Sequence, residues 1–230
     1  MGDFFVRKIT SIRSKLTAGD QPAVIDSVIT EESNSVTTFS EFSPLPEEEI
    51  RKLVLANKKT CALDPIPWFI LSLCLDELLP VLTKMVNLSL ESGHFAKEWK
   101  SVLVHPILKK HGLELINKNF RPMNNLQFTS KLTEKAAASQ ILRHMMDNDL
   151  LPNLQSAYRE NHSSETALIK VKNDILVSMD KGHVTLLVLL DLSAAFDTVE
   201  HGVLLRRLHS LLGLRGNVLF WFQSYLTDRV

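Results

Sequence analysis

The stretch Leu186–Val199 reads LLVLLDLSAAFDTV and decides the fold class that we expect for this chain. Its first five residues are aliphatic, which suits a strand buried on both faces and is too short to span a membrane. The run stops at the carboxylate of Asp191. This pattern predicts a core strand that presents a metal ligand at its tip, where a sheet would fix the backbone. The alternative from these residues alone is an aspartate that caps the next turn.

The overall composition is that of an ordinary globular protein. The 230 residues are 45% hydrophobic and 23% charged, and the formal net charge is zero. Two cysteines, Cys61 and Cys74, give no disulfide framework and are typical of a reducing compartment. The first residues mix charged and apolar side chains, unlike a signal peptide. We therefore expect an intracellular protein, nuclear or cytoplasmic, without membrane partners.

Positive charge is concentrated in one part of the chain. Residues 97–143 carry nine Lys and Arg against three acidic residues, whereas residues 31–50 carry six acids and no Lys or Arg. A basic block of this kind could line a phosphate-binding surface. The alternative is a solvated face that the acidic segment balances elsewhere.

The first half of the chain reads as helices joined by a linker. Helical spacing of apolar residues covers 3–17, and a Ser-, Thr- and Glu-rich linker follows over 18–44. Pro46 opens a helix with three glutamates in its first turn. Asp64 is expected to accept the free amides of the next helix. The apolar stretch 68–90 splits into two helices, the second ending at Gly93, with Cys74 in the core.

The second half combines one further strand with helices. Residues 101–108 read as a strand, in which Pro106 indicates either an edge position or a bulge, and 119–122 read as a turn. The remaining predicted elements are a helix capped by Ser130 and ending near 147, one capped by Ser163 and ending near 179, and two helices at 201–212 and 217–227.

Four segments in order carry a family resemblance. Residues 97–110 (KEWKSVLVHPILKK), 119–135 (beginning NFRP), 155–167 (beginning QSAYRENHS) and 186–199 resemble the first finger and palm motifs of reverse transcriptases from non-LTR (LINE-type) retrotransposons. Residues 41–93 resemble the region between endonuclease and polymerase in these elements. The order of the segments makes the resemblance specific.

The resemblance implies a helix-rich α+β fold: a partial right-hand polymerase with the fingers and the start of the palm, truncated before the second catalytic motif. The domains expected are an N-terminal helix (1–17), a flexible linker (18–44), a helical region (45–93), and fingers with an incomplete palm (94–230). The activity implied is RNA-directed DNA polymerisation.

The same resemblance assigns roles to residues. Asp191, with the carbonyl of Leu192, would be a ligand of Mg²⁺ in two-metal nucleotidyl transfer. Phe196 would block a ribose 2′-hydroxyl and so select deoxynucleotides. Arg159 would contact the incoming triphosphate, the alternative being a surface arginine. Asp197 is expected to hold loop structure instead.

Nucleic acid partners follow from the resemblance as well. Lys109, Lys110 and Arg121 are the candidate contacts to an RNA template and DNA primer. An exposed basic turn needs no such role, and the alternative for Arg121 is a structural one.

The chain also departs from the family pattern. Ala157 and Asn161 replace family glycines, and the sequence has no Asp-Asp and no Gln-Gly dipeptide, which the later palm motifs require. A lone aspartate binds Mg²⁺ weakly. We therefore expect this chain to be inactive alone. The alternatives are a residual RNA- or RNA–DNA-binding module and a helical interaction remnant.

Overall fold

The structure, a computed structural model, describes residues 2–18, 37–192, 195–196 and 198–228. These ranges are rich in helix and contain one two-stranded antiparallel sheet, which confirms the helix-rich α+β prediction. The elements are α1 (Gly2–Ala18), α2 (Glu47–Ala56), α3 (Trp68–Leu73), α4 (Leu75–Ser92), β1 (Val102–Leu108), β2 (Phe120–Leu126), α5 (Phe128–Asp147), α6 (Ser164–Asp180), α7 (His201–Leu212) and α8 (Gly216–Leu226). Within these ranges no helix is long and apolar enough to cross a bilayer.

One hydrophobic core organises the molecule around α4. This helix packs against α2, α5 and α8, because each of the four presents an apolar stripe to the others. At the centre lies Trp221 of α8, whose indole N–H donates to the hydroxyl of Ser89 at 3.1 Å. The most deeply buried apolar side chains are Ile50, Val54, Leu79, Val86, Leu90, Phe95, Phe128, Leu132, Ala136, Ala137, Leu214, Val218 and Trp221.

The end of the predicted linker 18–44 belongs to this core. Residues 19–36 lie outside the described residues, but Phe39 forms a parallel bridge with Leu214. Phe42 is buried and contacts the ring of Trp221 edge-on, at 5.9 Å between ring centroids. Residues 37–44 are therefore anchored, because two apolar rings outweigh the polar composition that had indicated a linker.

Asp64 does not cap the helix that follows it in sequence. Its two carboxylate oxygens accept the backbone N–H of Cys61 at 2.6 Å and of Phe128 at 2.7 Å. Phe128 is the first residue of α5, so the aspartate caps a helix 64 residues further along. Pro67 stands instead at the N-terminus of α3. The prediction that Asp64 accepts free backbone amides is confirmed, but the helix that it caps is α5 and not the helix that follows it.

Two other local predictions were wrong. Ser130 lies inside α5, fully buried, because the helix begins two residues earlier under the cap from Asp64. Cys74 is exposed at the junction of α3 and α4 rather than in the core. The break between these helices therefore falls at Cys74, and Pro80 is accommodated within α4.

The predicted strand at 101–108 is confirmed as β1, but the predicted turn at 119–122 is largely strand. Phe120 begins β2, which pairs antiparallel with β1. Pro106 faces Pro122 across the ladder, so the two missing amide donors fall at one rung. Arg121 consequently lies in a strand, opposite Ile107.

The predicted central strand at 186–190 is not formed. These residues have no regular secondary structure and are exposed, Leu190 by 91%. In the described part of the chain β1 and β2 pair only with each other, so no strand lies beside this segment. A short aliphatic run becomes a buried strand only where neighbours complete its hydrogen bonds. Helix α6 likewise buries none of its residues.

The helices of the second half begin and end close to the predicted residues. Ser163 caps α6 through a capping box with Thr166. Glu200 caps α7 by accepting the backbone N–H groups of Val203 and Gly202, and these bonds lower the pKa of its carboxyl.

Candidate functional site

The loop between α5 and α6 carries the predicted nucleotide contact. Asn161 has φ 60°, so it takes the left-handed conformation expected where the family has glycine. Tyr158 also has a positive φ, 58°, whereas Ala157 does not. With Asp149 at φ 52°, the left-handed positions of this loop are therefore residues 149, 158 and 161.

Arg159 is partly buried against a cleft between this loop and the second half of α5. Its Nη1 donates to the carbonyl of Pro152 at 3.3 Å, which orients the guanidinium. The cleft has a volume of about 560 Å³, within the range of small-molecule sites. Apolar and charged side chains share its wall: Leu142, Met145, Met146, Leu151 and Tyr158, with Arg143, Arg159, Asp147, Asp149 and Glu160.

The predicted metal ligand is accessible but stands without a donor set. Asp191 and Leu192 are both exposed, in a segment without regular structure. No group of three or more His, Cys, Asp or Glu side chains that could hold a metal occurs among the described residues. Asp197 lies outside the described residues. The described residues alone therefore do not supply the octahedral oxygen ligation that Mg²⁺ needs.

Phe196 forms a contact between the segment 186–199, in which it lies, and the segment 155–167. Its ring meets that of Tyr158 edge to face, with centroids 6.2 Å apart and planes at 79°. The contact joins residues that are 38 positions apart in sequence (196 minus 158). Phe196, which is predicted to block a ribose 2′-hydroxyl, therefore contacts the residue that precedes Arg159.

The predicted nucleic acid contacts lie on the hairpin. Lys109 continues the ladder beyond β1, because its N–H donates to the carbonyl of Asn119 at 2.9 Å. Since side chains alternate along a strand, Lys109 shares a face with Ile107, whose partner across the ladder is Arg121. Lys110 is exposed in the adjoining turn. The hairpin thus carries all three predicted cations, with Lys109 and Arg121 on the same face.

Two residues of the site were missed by sequence reasoning. Tyr158 was not singled out, since an aromatic residue in a loop reads as local packing. Arg143 was counted only as part of the basic block 97–143, yet it lines the cleft beside Arg159. The only signal available for either was proximity to a motif.

Comparisons with known proteins identify a family. Residues 107–230 match the family model described as reverse transcriptase (RNA-dependent DNA polymerase). The chain is 28% identical over 148 residues to a probable RNA-directed DNA polymerase from transposon BS of Drosophila melanogaster, covering 64% of this chain and 16% of that protein. It is 29% identical over 171 residues to the RNA-directed DNA polymerase from mobile element jockey of Drosophila funebris. This match covers 74% of this chain and 19% of that protein. The RNA-directed DNA polymerase from mobile element jockey of Drosophila melanogaster is 28% identical over 160 residues. This match covers 69% of this chain and 18% of that protein. The chain spans less than a fifth of the length of these relatives.

Proposed function

This chain belongs to the reverse transcriptase (RNA-dependent DNA polymerase) family, and on that premise we propose that it forms the fingers and the start of the palm of an RNA-directed DNA polymerase. The resemblance to non-LTR retrotransposon reverse transcriptases is confirmed. In this proposal residues 94–230 are the fingers and an incomplete palm, and 45–93 are the connecting helices. Residues 1–17 are an N-terminal helix, and residues 18–44 are the linker between that helix and the connecting helices.

The observation that carries this proposal is the contact between Tyr158 and Phe196. It supports a common space between the finger loop and the palm motif, into which an incoming deoxynucleotide would fit. Arg159 would pair with its triphosphate, because a guanidinium can hold two phosphate oxygens at once. Phe196 would exclude a ribose 2′-hydroxyl by its bulk.

The part of the reaction that these residues can support is binding. Reverse transcriptases use divalent metal ions, and Asp191 with the carbonyl of Leu192 would contribute to holding Mg²⁺. Asp191 is exposed, as a ligand must be, but the described residues contain no group of three or more His, Cys, Asp or Glu side chains that could hold a metal. We therefore propose that the isolated chain binds nucleic acid and nucleotide without completing the transfer.

The exposed apolar surface supports a part in a larger domain. The segment Leu186–Leu190 and side chains of α6 such as Leu168 and Ile169 are exposed to solvent. Large exposed apolar side chains in such number are typical of surfaces that another surface covers. In the proposal it packs against later parts of the palm.

The chemistry is tested by primer extension. We expect no deoxynucleotide incorporation above background when the isolated chain is given an RNA template, a DNA primer and Mg²⁺, because a single carboxylate leaves the ion mostly hydrated. The measurement is gel-resolved primer elongation, with Asp191→Asn as the matched control. Incorporation by the wild-type chain that Asp191→Asn abolishes would contradict the incomplete site.

The template surface is tested by the salt dependence of RNA binding. Lys109, Lys110 and Arg121 would each displace a counterion from single-stranded RNA, so changing all three to alanine should reduce the slope of log K against log salt by about 2. Fluorescence anisotropy between 50 and 200 mM salt measures this slope.

The control for this salt-dependence experiment is a triple alanine variant of three exposed lysines elsewhere, Lys52, Lys84 and Lys181. This variant should leave the slope nearly unchanged. An equal reduction by both triple variants would show that the hairpin is not the contact surface.

A further inference from the structure

Tyr158 is held in a conformation that its side chain disfavours. Its φ of 58° is left-handed, which costs an aromatic residue on the order of 1–2 kcal/mol relative to the usual regions. The residue is 83% exposed, so burial in the core does not offset this cost. Strained backbone conformations cluster at ligand-binding sites, so the strain at this exposed residue makes it a candidate ligand contact.

The neighbouring ring supports the same conclusion. Phe196 is 78% exposed and meets Tyr158 edge to face. Such a contact fixes the orientation of the tyrosine ring while leaving most of its surface open. Two exposed aromatic rings in contact resemble the platforms on which proteins stack unpaired bases.

The lining of the adjoining cleft is compatible with a nucleobase. Two arginines, Arg143 and Arg159, and three carboxylates line it together with apolar side chains, so its wall is of mixed charge. A neutral base is compatible with this wall. The carboxylates of Asp147, Asp149 and Glu160 can accept hydrogen bonds from exocyclic amino groups, and the apolar side chains cover the ring.

We infer that Tyr158 is a base-stacking residue, which holds one nucleobase at the mouth of the cleft beside Phe196. The inference rests on the proposed function and adds to it a binding residue and the chemical class that it recognises. The base can come from a single-stranded RNA or from a free deoxynucleotide, since both present the same aromatic face.

The test replaces the ring without straining the loop. Tyr158→Gly removes the side chain and adopts the observed φ freely, so the variant should be at least as stable as the wild type by urea denaturation. We expect its affinity for a fluorescein-labelled RNA of eight nucleotides, or for dGTP in the parallel arm, to fall by about tenfold. Tyr158→Phe should retain the affinity, because it keeps the ring.

Phe69→Ala provides the control, since Phe69 is an exposed aromatic residue of α3 outside the cleft. Its affinities should equal those of the wild type. A loss by Tyr158→Gly for RNA alone assigns the base to the strand, and a loss for dGTP alone assigns it to the free nucleotide. An unchanged affinity in both arms overturns the inference while leaving the proposed function standing.

Salt separates stacking from charge. The ratio of wild-type to Tyr158→Gly affinity should be the same at 50 and 200 mM salt, because stacking releases no counterions. A ratio that disappears at the higher salt would overturn the inference. A wild-type chain that binds neither probe at 50 mM salt would overturn the proposed function as well.

Discussion

Trp221→Ala is expected to lower the free energy of unfolding by about 3–5 kcal/mol, the range for removing a large buried aromatic side chain. Trp221 is 2% exposed and stacks on Tyr225, with ring centroids 5.3 Å apart. It also meets Phe95 edge-on at 5.4 Å. The substitution leaves a cavity where α8 packs against α4 and leaves the hydroxyl of Ser89 without its indole donor.

Equilibrium denaturation in urea measures this change. The preceding residue, Phe220, is 60% exposed and gives a matched control, for which we expect a loss below about 1 kcal/mol. Trp221→Phe should fall between the two variants, because it keeps most of the ring and loses the hydrogen bond. Equal losses of unfolding free energy from Phe220→Ala and Trp221→Ala would disprove the burial of Trp221 in the core.

The second large effect is expected at Gly93, where α4 ends. Its φ is 65°, and a β-carbon added there would lie 3.0 Å from the carbonyl oxygen of Asn217 and 3.2 Å from Cβ of Phe220. Gly93→Ala therefore combines left-handed strain with a steric clash against the backbone of α8. We expect a loss of about 2–4 kcal/mol in unfolding free energy.

Gly112 offers a control for the backbone component alone. It has φ 79° in the hairpin turn, and a β-carbon there would meet nothing within 4 Å. Gly112→Ala should cost about 1 kcal/mol, the strain without the clash. If the two alanine variants unfolded at the same urea concentration, the close approach of α4 and α8 would be disproved.

Much of the helical structure could be predicted because its signals lie within one turn of the residue concerned. Pro46 at the start of α2, Ser163 at the capping box of α6 and Gly93 at the end of α4 all act on adjacent backbone groups. Their effect does not depend on what else the chain contacts. The left-handed Asn161 belongs to the same class.

The candidate site was predictable only as a set of residues. The motifs singled out Arg159, Phe196 and Asp191, and the roles assigned to them stay predictions. Nothing in the spacing indicated that Tyr158 would join Phe196 or that Arg143 would line the cleft with Arg159. These relations depend on how a loop, a helix and an irregular segment are arranged in space.

The sequence by itself determined the family, the helix-rich class and most helix ends, since motif order and capping are properties of neighbouring residues. Tertiary structure alone decided that Asp64 caps α5, that Phe39 and Phe42 anchor the end of the linker, and that Arg121 lies in a strand. It also decided that Leu186–Leu190 forms no strand. The physical reason is that a strand, a distant cap and a buried ring each require a partner from another part of the chain, whereas a helix supplies its own hydrogen bonds.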